Sequence, residues 1–93
     1  MIIACDFDGT LYRNGELNAG LISRLRQAQR KGDTVILWTC REGRSLQDAF
    51  AMLAAAGFRP DYVNRNAPEA IRRMGHDSRK VFADVYIDDK ASR

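Results

Sequence analysis

Three short apolar segments of this sequence each run directly into a polar residue. They are residues 2–5 before Asp6, residues 34–38 before Thr39, and residues 85–87 before Asp88. Apolar runs of this length are typical of strands that are covered on both faces, as in parallel sheets. The pattern therefore predicts three buried strands whose carboxyl ends carry polar side chains.

Helical patterns separate these strands. Apolar residues recur with helical spacing after Asn18, which we expect to cap the first helix, and Gly32 follows a cationic last turn. Residues 45–48 form a variant capping box, with Asp in place of Glu, that is predicted to open a second helix closed by Gly57. The chain thus alternates between strands and helices.

The rest of the chain continues this alternation. A short strand is predicted at residues 61–63, and a third helix from an Asn66 cap, through Pro68 in its first turn, to about Gly75. Strands that alternate with helices indicate an α/β protein, and we expect a three-layer, Rossmann-like fold with a mainly parallel sheet. A length of 93 residues predicts a single domain over residues 1–93.

Composition excludes some functional classes and leaves others open. The formal charge is +3, but the twelve arginines are scattered along the chain, so a nucleic-acid partner is neither indicated nor excluded. The two cysteines, Cys5 and Cys40, are too few for a disulfide framework. There is no apolar run of about 20 residues and no basic leader, so we expect a cytoplasmic protein without a membrane span.

The ends of the predicted strands carry the candidate chemistry. Ligands of open α/β sheets bind at the carboxyl ends of the strands. At those ends the sequence places Asp6 with Asp8, Thr39 with Cys40 and Arg41, and Asp88 with Asp89. Segments that are distant in sequence are therefore expected to deliver their polar groups to one crevice.

Asp6 and Asp8 suggest a metal site. Carboxylates two residues apart on an extended segment point to the same side, where they repel each other unless a cation is present. Mg²⁺ typically takes one or two carboxylates together with phosphate and water. Gly9 permits a tight turn and a close approach of the backbone to phosphate. A simple turn is the commoner interpretation of Asp8-Gly9 alone, but it leaves Asp6 unexplained.

The other candidates also have ordinary interpretations when each is taken alone. Thr39 is a β-branched residue that ends a strand, Cys40 is typical of a small buried apolar residue, and Arg41 of a surface residue. Asp88-Asp89 is compatible with a turn. Their joint placement at strand ends favours the functional interpretation.

Together these residues resemble the haloacid dehalogenase superfamily of aspartyl-phosphate phosphatases. Residues 6–11, Asp-Phe-Asp-Gly-Thr-Leu, are similar to its first motif, and Thr39 after an apolar strand is similar to its second. Lys80 resembles the third motif and Asp88-Asp89 the fourth. The resemblance spans residues 2–90 and is most specific in the first motif.

The resemblance implies a two-step mechanism with Mg²⁺ as cofactor. Asp6 would attack phosphorus to form an aspartyl-phosphate, and Asp8 would act as general acid and then as general base. The implied metal ligands are Asp6, the Asp8 backbone carbonyl, Asp88 and Asp89. The implied phosphate-binding residues are Gly9, Thr39, Cys40 and Lys80, with Arg41 as a possible contact to the substrate.

Geometry restricts the role of Lys80. If residues 80–88 formed one strand at about 3.3 Å per residue, Lys80 would lie roughly 26 Å from Asp88. Its assignment requires a strand that begins near Asp84 or Val85, with residues 80–83 folding back across the sheet end. Lys90, Arg41 and Arg65 are the alternative cations.

The intervals between the motifs leave no room for a cap domain, which members of the superfamily usually carry. The 28 residues from Leu11 to Trp38 are taken up by one turn, one helix and one strand, and the 40 between Thr39 and Lys80 by two helices and a short strand. We expect a single capless domain with an open site, covered by a bulky substrate or by a second copy in a homo-oligomer.

The sequence therefore predicts a magnesium-dependent phosphomonoester hydrolase acting on a phosphorylated small molecule or macromolecule. Two alternatives stay open: a phosphotransferase whose acceptor is not water, and a non-catalytic regulatory module that binds metal and phosphate. A two-component receiver domain is disfavoured, because its phosphorylated Asp follows a middle strand, where this chain has Thr39.

Overall fold

The computed structural model describes residues 1–75 and 81–88, which contain six strands and three helices. In chain order these are β1 (Ile2–Asp6), β2 (Tyr12–Arg13), β3 (Glu16–Leu17), α1 (Ala19–Arg30), β4 (Thr34–Trp38), α2 (Gly43–Ala55), β5 (Tyr62–Val63), α3 (Pro68–Met74) and β6 (Val85–Ile87). Four strands form a parallel sheet in the order β5-β4-β1-β6. Strands β2 and β3 form a separate antiparallel hairpin.

The central strand β1 supplies a hydrophobic core on each side of the sheet, because successive side chains of a strand point to opposite faces. Ile3 and Cys5 pack with buried residues of α1 and α2, such as Leu53. Ile2 and Ala4 pack with buried residues of α3 and of the segment 81–83. The sheet therefore lies between two covering layers, which confirms the predicted three-layer α/β, Rossmann-like fold.

The first helix begins as predicted and the second does not. The Asn18 side chain accepts a hydrogen bond from the Leu21 N–H at 3.1 Å and caps α1. In contrast, α2 begins at Gly43, two residues before the predicted capping box, and its N-cap Glu42 makes no side-chain cap bond. The Ser45 hydroxyl donates to the Glu42 carbonyl at 3.0 Å, so the capping-box prediction is wrong.

The predicted cap of α3 is also wrong. The N-cap is Ala67, with Pro68 in the first turn as expected. Asn66 is buried, and its Oδ1 accepts the Phe82 N–H at 2.6 Å. Its amide is therefore used to hold the returning segment 81–83 rather than to cap the helix. Gly75 ends α3 with a φ of 76°, which confirms the predicted end.

The last strand starts late, which is the condition that the Lys80 assignment sets. Residues 81–83 lie outside the sheet ladder, and β6 begins at Val85. Asp84 closes the start of the ladder: its Oδ2 accepts the Ile2 N–H at 2.7 Å, and its own N–H donates to the Ile2 carbonyl at 2.8 Å. This pairing gives the Asp84 carboxylate a partner at the sheet edge.

The chain after β1 forms a hairpin, whereas the sequence predicts a single turn there. Asn14 and Gly15 have φ values of 53° and 79°, the left-handed pair that an Asn-Gly hairpin turn uses. The Tyr12 ring stacks on Phe7, with centroids 5.5 Å apart. The hairpin is too small to act as a cap, and the described ranges contain no cap domain.

No helix in the described ranges has both the length and the apolar character that a membrane crossing requires.

We expect Leu53→Ala to lower the free energy of unfolding by about 2–5 kcal/mol, because the substitution leaves a cavity where a fully buried side chain of α2 meets the sheet. Urea denaturation followed by circular dichroism measures the change. Gln47→Ala on the exposed face of the same helix is the control, with an expected change within about 0.5 kcal/mol. Equal effects of the two substitutions would contradict the assigned core.

Candidate active site

The strand register brings the candidate residues to one edge of the sheet. Asp6, the last residue of β1, pairs with Trp38, the last residue of β4. On the other side, Cys5 pairs with Ile87, the last residue of β6. Thr39 and Asp88 are the next residues along these two neighbouring strands. The predicted meeting of three distant segments is therefore built into the hydrogen bonding of the sheet.

Asp6 and Asp88 line the same cavity of about 360 Å³ at this edge. Both residues are half-buried, and the exposed rings of Trp38 and Tyr86 form part of the wall. The Phe7 N–H donates to Asp6 Oδ1 at 2.9 Å, which orients that carboxylate. Another cavity, of about 470 Å³, lies beside Met1 and Asp84 at the opposite end of the strands, away from this pair.

The donors at this edge fit a magnesium ion. Within residues 1–75 and 81–88 no group of three or more His, Cys, Asp or Glu side chains is arranged to hold a metal. Asp6 and Asp88 provide two carboxylates in one cavity, and Mg²⁺ characteristically combines one or two carboxylates with water and phosphate oxygens. Asp89, the further predicted ligand, lies outside the described residues.

Asp8 is held by an arginine. Its carboxylate accepts two hydrogen bonds from Arg41, Nε to Oδ2 and Nη2 to Oδ1, both at 2.9 Å. The Asp8 side chain is 54% exposed and that of Arg41 19%. The hydrogen bond to Asp8 also raises the pKa of the Arg41 guanidinium above its usual value. Arg41, predicted as a possible substrate contact, therefore lies against the proposed acid/base.

Arg41 is itself fixed on several sides. Its guanidinium carbon lies 4.8 Å from the centroid of the Phe7 ring and 5.5 Å from that of Tyr12, a cation–π arrangement. Nη1 donates to the Ser45 carbonyl in the first turn of α2 at 3.0 Å. The side chain thus joins the β1 loop, the hairpin and α2.

Thr39 is buried and positioned by Asn64, a residue that the sequence analysis does not single out. Its N–H donates to Asn64 Oδ1 and its carbonyl accepts from Asn64 Nδ2, both at 2.8 Å. The Thr39 hydroxyl accepts the Arg41 N–H at 3.1 Å. Asn64 is the first residue after β5, so the strand-end rule that selected Asp6 and Thr39 applies to it as well.

Gly9 turns the loop after β1 with a φ of 85°. Its N–H donates to the Tyr12 carbonyl at 2.8 Å, and the Thr10 and Tyr12 N–H groups both donate to the Phe7 carbonyl. The Gly9 N–H is thus used within the loop, and the role of Gly9 in phosphate binding stays a prediction. The Thr10 hydroxyl is buried and has no hydrogen-bond partner in the described structure.

The two cysteines differ sharply in environment. Cys5 is fully buried, and burial together with the nearby Asp6 raises the pKa of its thiol to about 12. Cys40 is exposed directly after Thr39, so its interpretation as a buried apolar residue is wrong. Its position at the end of β4 leaves it facing solvent beside the site.

Several candidate cations and ligands fall outside the described residues, namely Lys80, Asp89 and Lys90, and their roles stay predictions. Among the alternative cations, Arg65 lies over the Tyr62 ring at 5.0 Å, at the β5 edge of the sheet. Arg41 lies on Asp8.

A solved structure of a conserved protein from Bacteroides thetaiotaomicron is similar to this chain over almost its whole length. The two share 35% sequence identity with a TM-score of 0.81, and the match covers 99% of this chain and 78% of that one. The sequence matches no protein-family model and none of the curated proteins with which it was compared. The shared fold thus comes with substantial sequence identity.

We expect Asn64→Gly to lower the free energy of unfolding by about 1–2 kcal/mol, since it removes two hydrogen bonds to Thr39. Glycine tolerates the φ of 53° at this position, so the loss reports the side-chain bonds rather than strain. Asn14→Gly is a matched control because Asn14 has the same φ in the exposed hairpin turn. Urea denaturation measures the change. Equal effects of Asn64→Gly and Asn14→Gly would contradict a stabilising role for the hydrogen bonds between Asn64 and Thr39.

We expect one thiol per chain to react with a thiol-specific reagent at neutral pH, because Cys40 is exposed whereas Cys5 is buried with a raised pKa. In denaturant, both thiols of the unfolded chain are expected to react. Cys40→Ser is the control and should reduce the native count to zero. Two reactive thiols in the folded wild type would contradict the burial of Cys5.

Proposed function

The chain belongs to the same family as the conserved Bacteroides thetaiotaomicron protein, and we propose that it is a magnesium-dependent phosphomonoester hydrolase. The observation that carries this proposal is the pair Asp6 and Asp88 in one cavity at the carboxyl edge of the sheet. Asp8 and Thr39 lie in the loops that follow β1 and β4. The resemblance of residues 6–11 to the first motif of the haloacid dehalogenase superfamily supports the same reaction.

Asp6 is the proposed nucleophile. Its carboxylate attacks phosphorus, an aspartyl-phosphate forms, and the bond from phosphorus to the leaving oxygen breaks. The Phe7 N–H that donates to Asp6 Oδ1 restricts the rotation of this carboxylate. Orientation of this kind lowers the entropic cost of reaching the in-line geometry.

Asp8 is the proposed proton carrier. It donates a proton to the leaving oxygen in the first half of the reaction and takes one from water in the second. Its half-exposed position on the loop after β1 keeps the carboxylate accessible to both.

Asp6, the Asp8 carbonyl, Asp88 and Asp89 would hold the magnesium ion, which neutralises charge on the phosphoryl oxygens when bound. The buried Thr39, fixed by Asn64, would bind a phosphoryl oxygen through its hydroxyl, together with the Cys40 N–H. Lys80 would supply the balancing cation. In this scheme the chain contributes positioning and charge, as phosphoryl transfer requires.

The open site needs something to exclude water during the reaction. No cap covers the cavity in the described ranges, so a phosphorylated substrate, or a second copy of the chain, would have to exclude water. The free thiols Cys5 and Cys40 agree with a reducing compartment, and a cytoplasmic location is part of the proposal.

The proposal is tested by hydrolysis of 4-nitrophenyl phosphate. We expect turnover with Mg²⁺, loss of turnover with a chelator, and recovery when Mg²⁺ is restored. Asp6→Asn should abolish turnover, and Asp8→Asn should reduce it by about 10²- to 10⁴-fold. Asp33→Asn makes the same chemical change at the amino-terminal edge of the sheet, where Asp33 pairs with the terminal amine, and should leave the rate unchanged.

Three outcomes would contradict the proposed hydrolase function or the roles assigned in it. Equal activity of wild type and Asp6→Asn would exclude Asp6 as the nucleophile. Binding of Mg²⁺ and phosphate without turnover would favour the regulatory module. A rate that rises with an added alcohol, with transfer of phosphate to it, would favour the phosphotransferase.

A further inference from the structure

We propose that Arg41 is a positioning residue that holds the Asp8 carboxylate in place to act as the base in the second half of the reaction. This inference rests on the proposed function, because it assigns a task to Asp8 within it. It gives Arg41 a role other than contact with the substrate.

The contact between the two residues determines both position and rotation. Two parallel N–H···O bonds, each of 2.9 Å, join Arg41 to the two oxygens of Asp8. A bidentate pair of this type fixes the plane of a carboxylate as well as its place. Asp8 is more than half exposed, so packing alone does not restrain its rotation.

Arg41 is rigid enough to transmit this restraint. The rings of Phe7 and Tyr12, which stack on each other, both lie against its guanidinium. The Ser45 carbonyl accepts from the nitrogen that does not contact Asp8. The Arg41 backbone is tied to the Thr39 hydroxyl. The side chain is only 19% exposed, which limits its own rotational freedom.

The second half of the reaction needs an Asp8 oxygen held in place beside the attacking water. Water attacks the phosphorus of the aspartyl-phosphate, its proton passes to an Asp8 oxygen, and the bond between phosphorus and Asp6 breaks. The electron pair returns to the Asp6 carboxylate, and inorganic phosphate leaves. A carboxylate that is already oriented serves this step directly.

The first half depends less on Arg41 when the leaving group is activated. A 4-nitrophenolate ion leaves without protonation, so its departure does not require a proton from Asp8. Loss of Arg41 should therefore slow the release of phosphate from Asp6 more than the formation of the aspartyl-phosphate. This difference separates positioning of Asp8 from a general structural role.

Rapid-quench kinetics with 4-nitrophenyl phosphate and Mg²⁺ test the inference. For Arg41→Met we expect a burst of about one nitrophenolate per chain and an accumulated phosphoenzyme. The steady rate should then be about 10- to 100-fold below wild type, the scale expected of a misplaced catalytic group. Arg41→Lys keeps the charge without the bidentate fork, so its steady rate should lie between those of the wild type and Arg41→Met.

Arg44→Met is the matched control. Arg44 is an exposed arginine in the first turn of α2, three residues from Arg41, and its loss should leave both phases unchanged. In the Asp8→Asn background, Arg41→Met should cause little additional slowing, since the base that it positions is already absent. Thermal unfolding of each variant measures the folded fraction, and Arg41→Lys carries the test if Arg41→Met does not fold.

The outcomes separate this inference from the proposed function. A wild type without magnesium-dependent turnover overturns both. An active wild type whose Arg41 variants keep the full steady rate, or slow both phases equally, overturns the role of Arg41 alone. Full additivity of Arg41→Met with Asp8→Asn also overturns it.

Discussion

The parallel pairing of β1 between β4 and β6 is the constraint on which the candidate site depends. Asp6 pairs with Trp38, and Cys5 with Ile87, so the chain leaves all three strands at the same edge. A slip by one residue would turn every side chain of the slipped strand to the opposite face and break both hydrophobic cores. Because the cores specify the register, they also specify which polar residues meet.

Charge at that edge is organised in two neighbouring sets. Asp6 and Asp88 share a cavity, whereas Asp8 is paired with Arg41. Asp6 and Asp8 therefore have different environments, although only one residue separates them in the sequence. The rings of Phe7 and Tyr12 lie against the Arg41 guanidinium and help to fix it at Asp8.

Much of the fold was predictable because apolar periodicity reports burial directly. The pattern located the main strands, the Asn18 cap and the late start of β6. The predictions for Ser45 and Asn66 failed for different reasons. Ser45 lies inside the first turn of α2 and donates to the Glu42 carbonyl, three residues before it. Asn66 instead accepts the N–H of Phe82, which is distant in sequence.

By itself the sequence determined the strands of the parallel sheet, the polar residues that end them, and the resemblance to a phosphatase motif, because these depend on local order along the chain. Only the tertiary structure decided that Asn64 clamps Thr39 and that Arg41 holds Asp8. These contacts join residues 25 and 33 positions apart. They exist because separate loops meet at one sheet edge. The strand ends predict that meeting, but spacing along the chain does not specify which side chains bond to each other there.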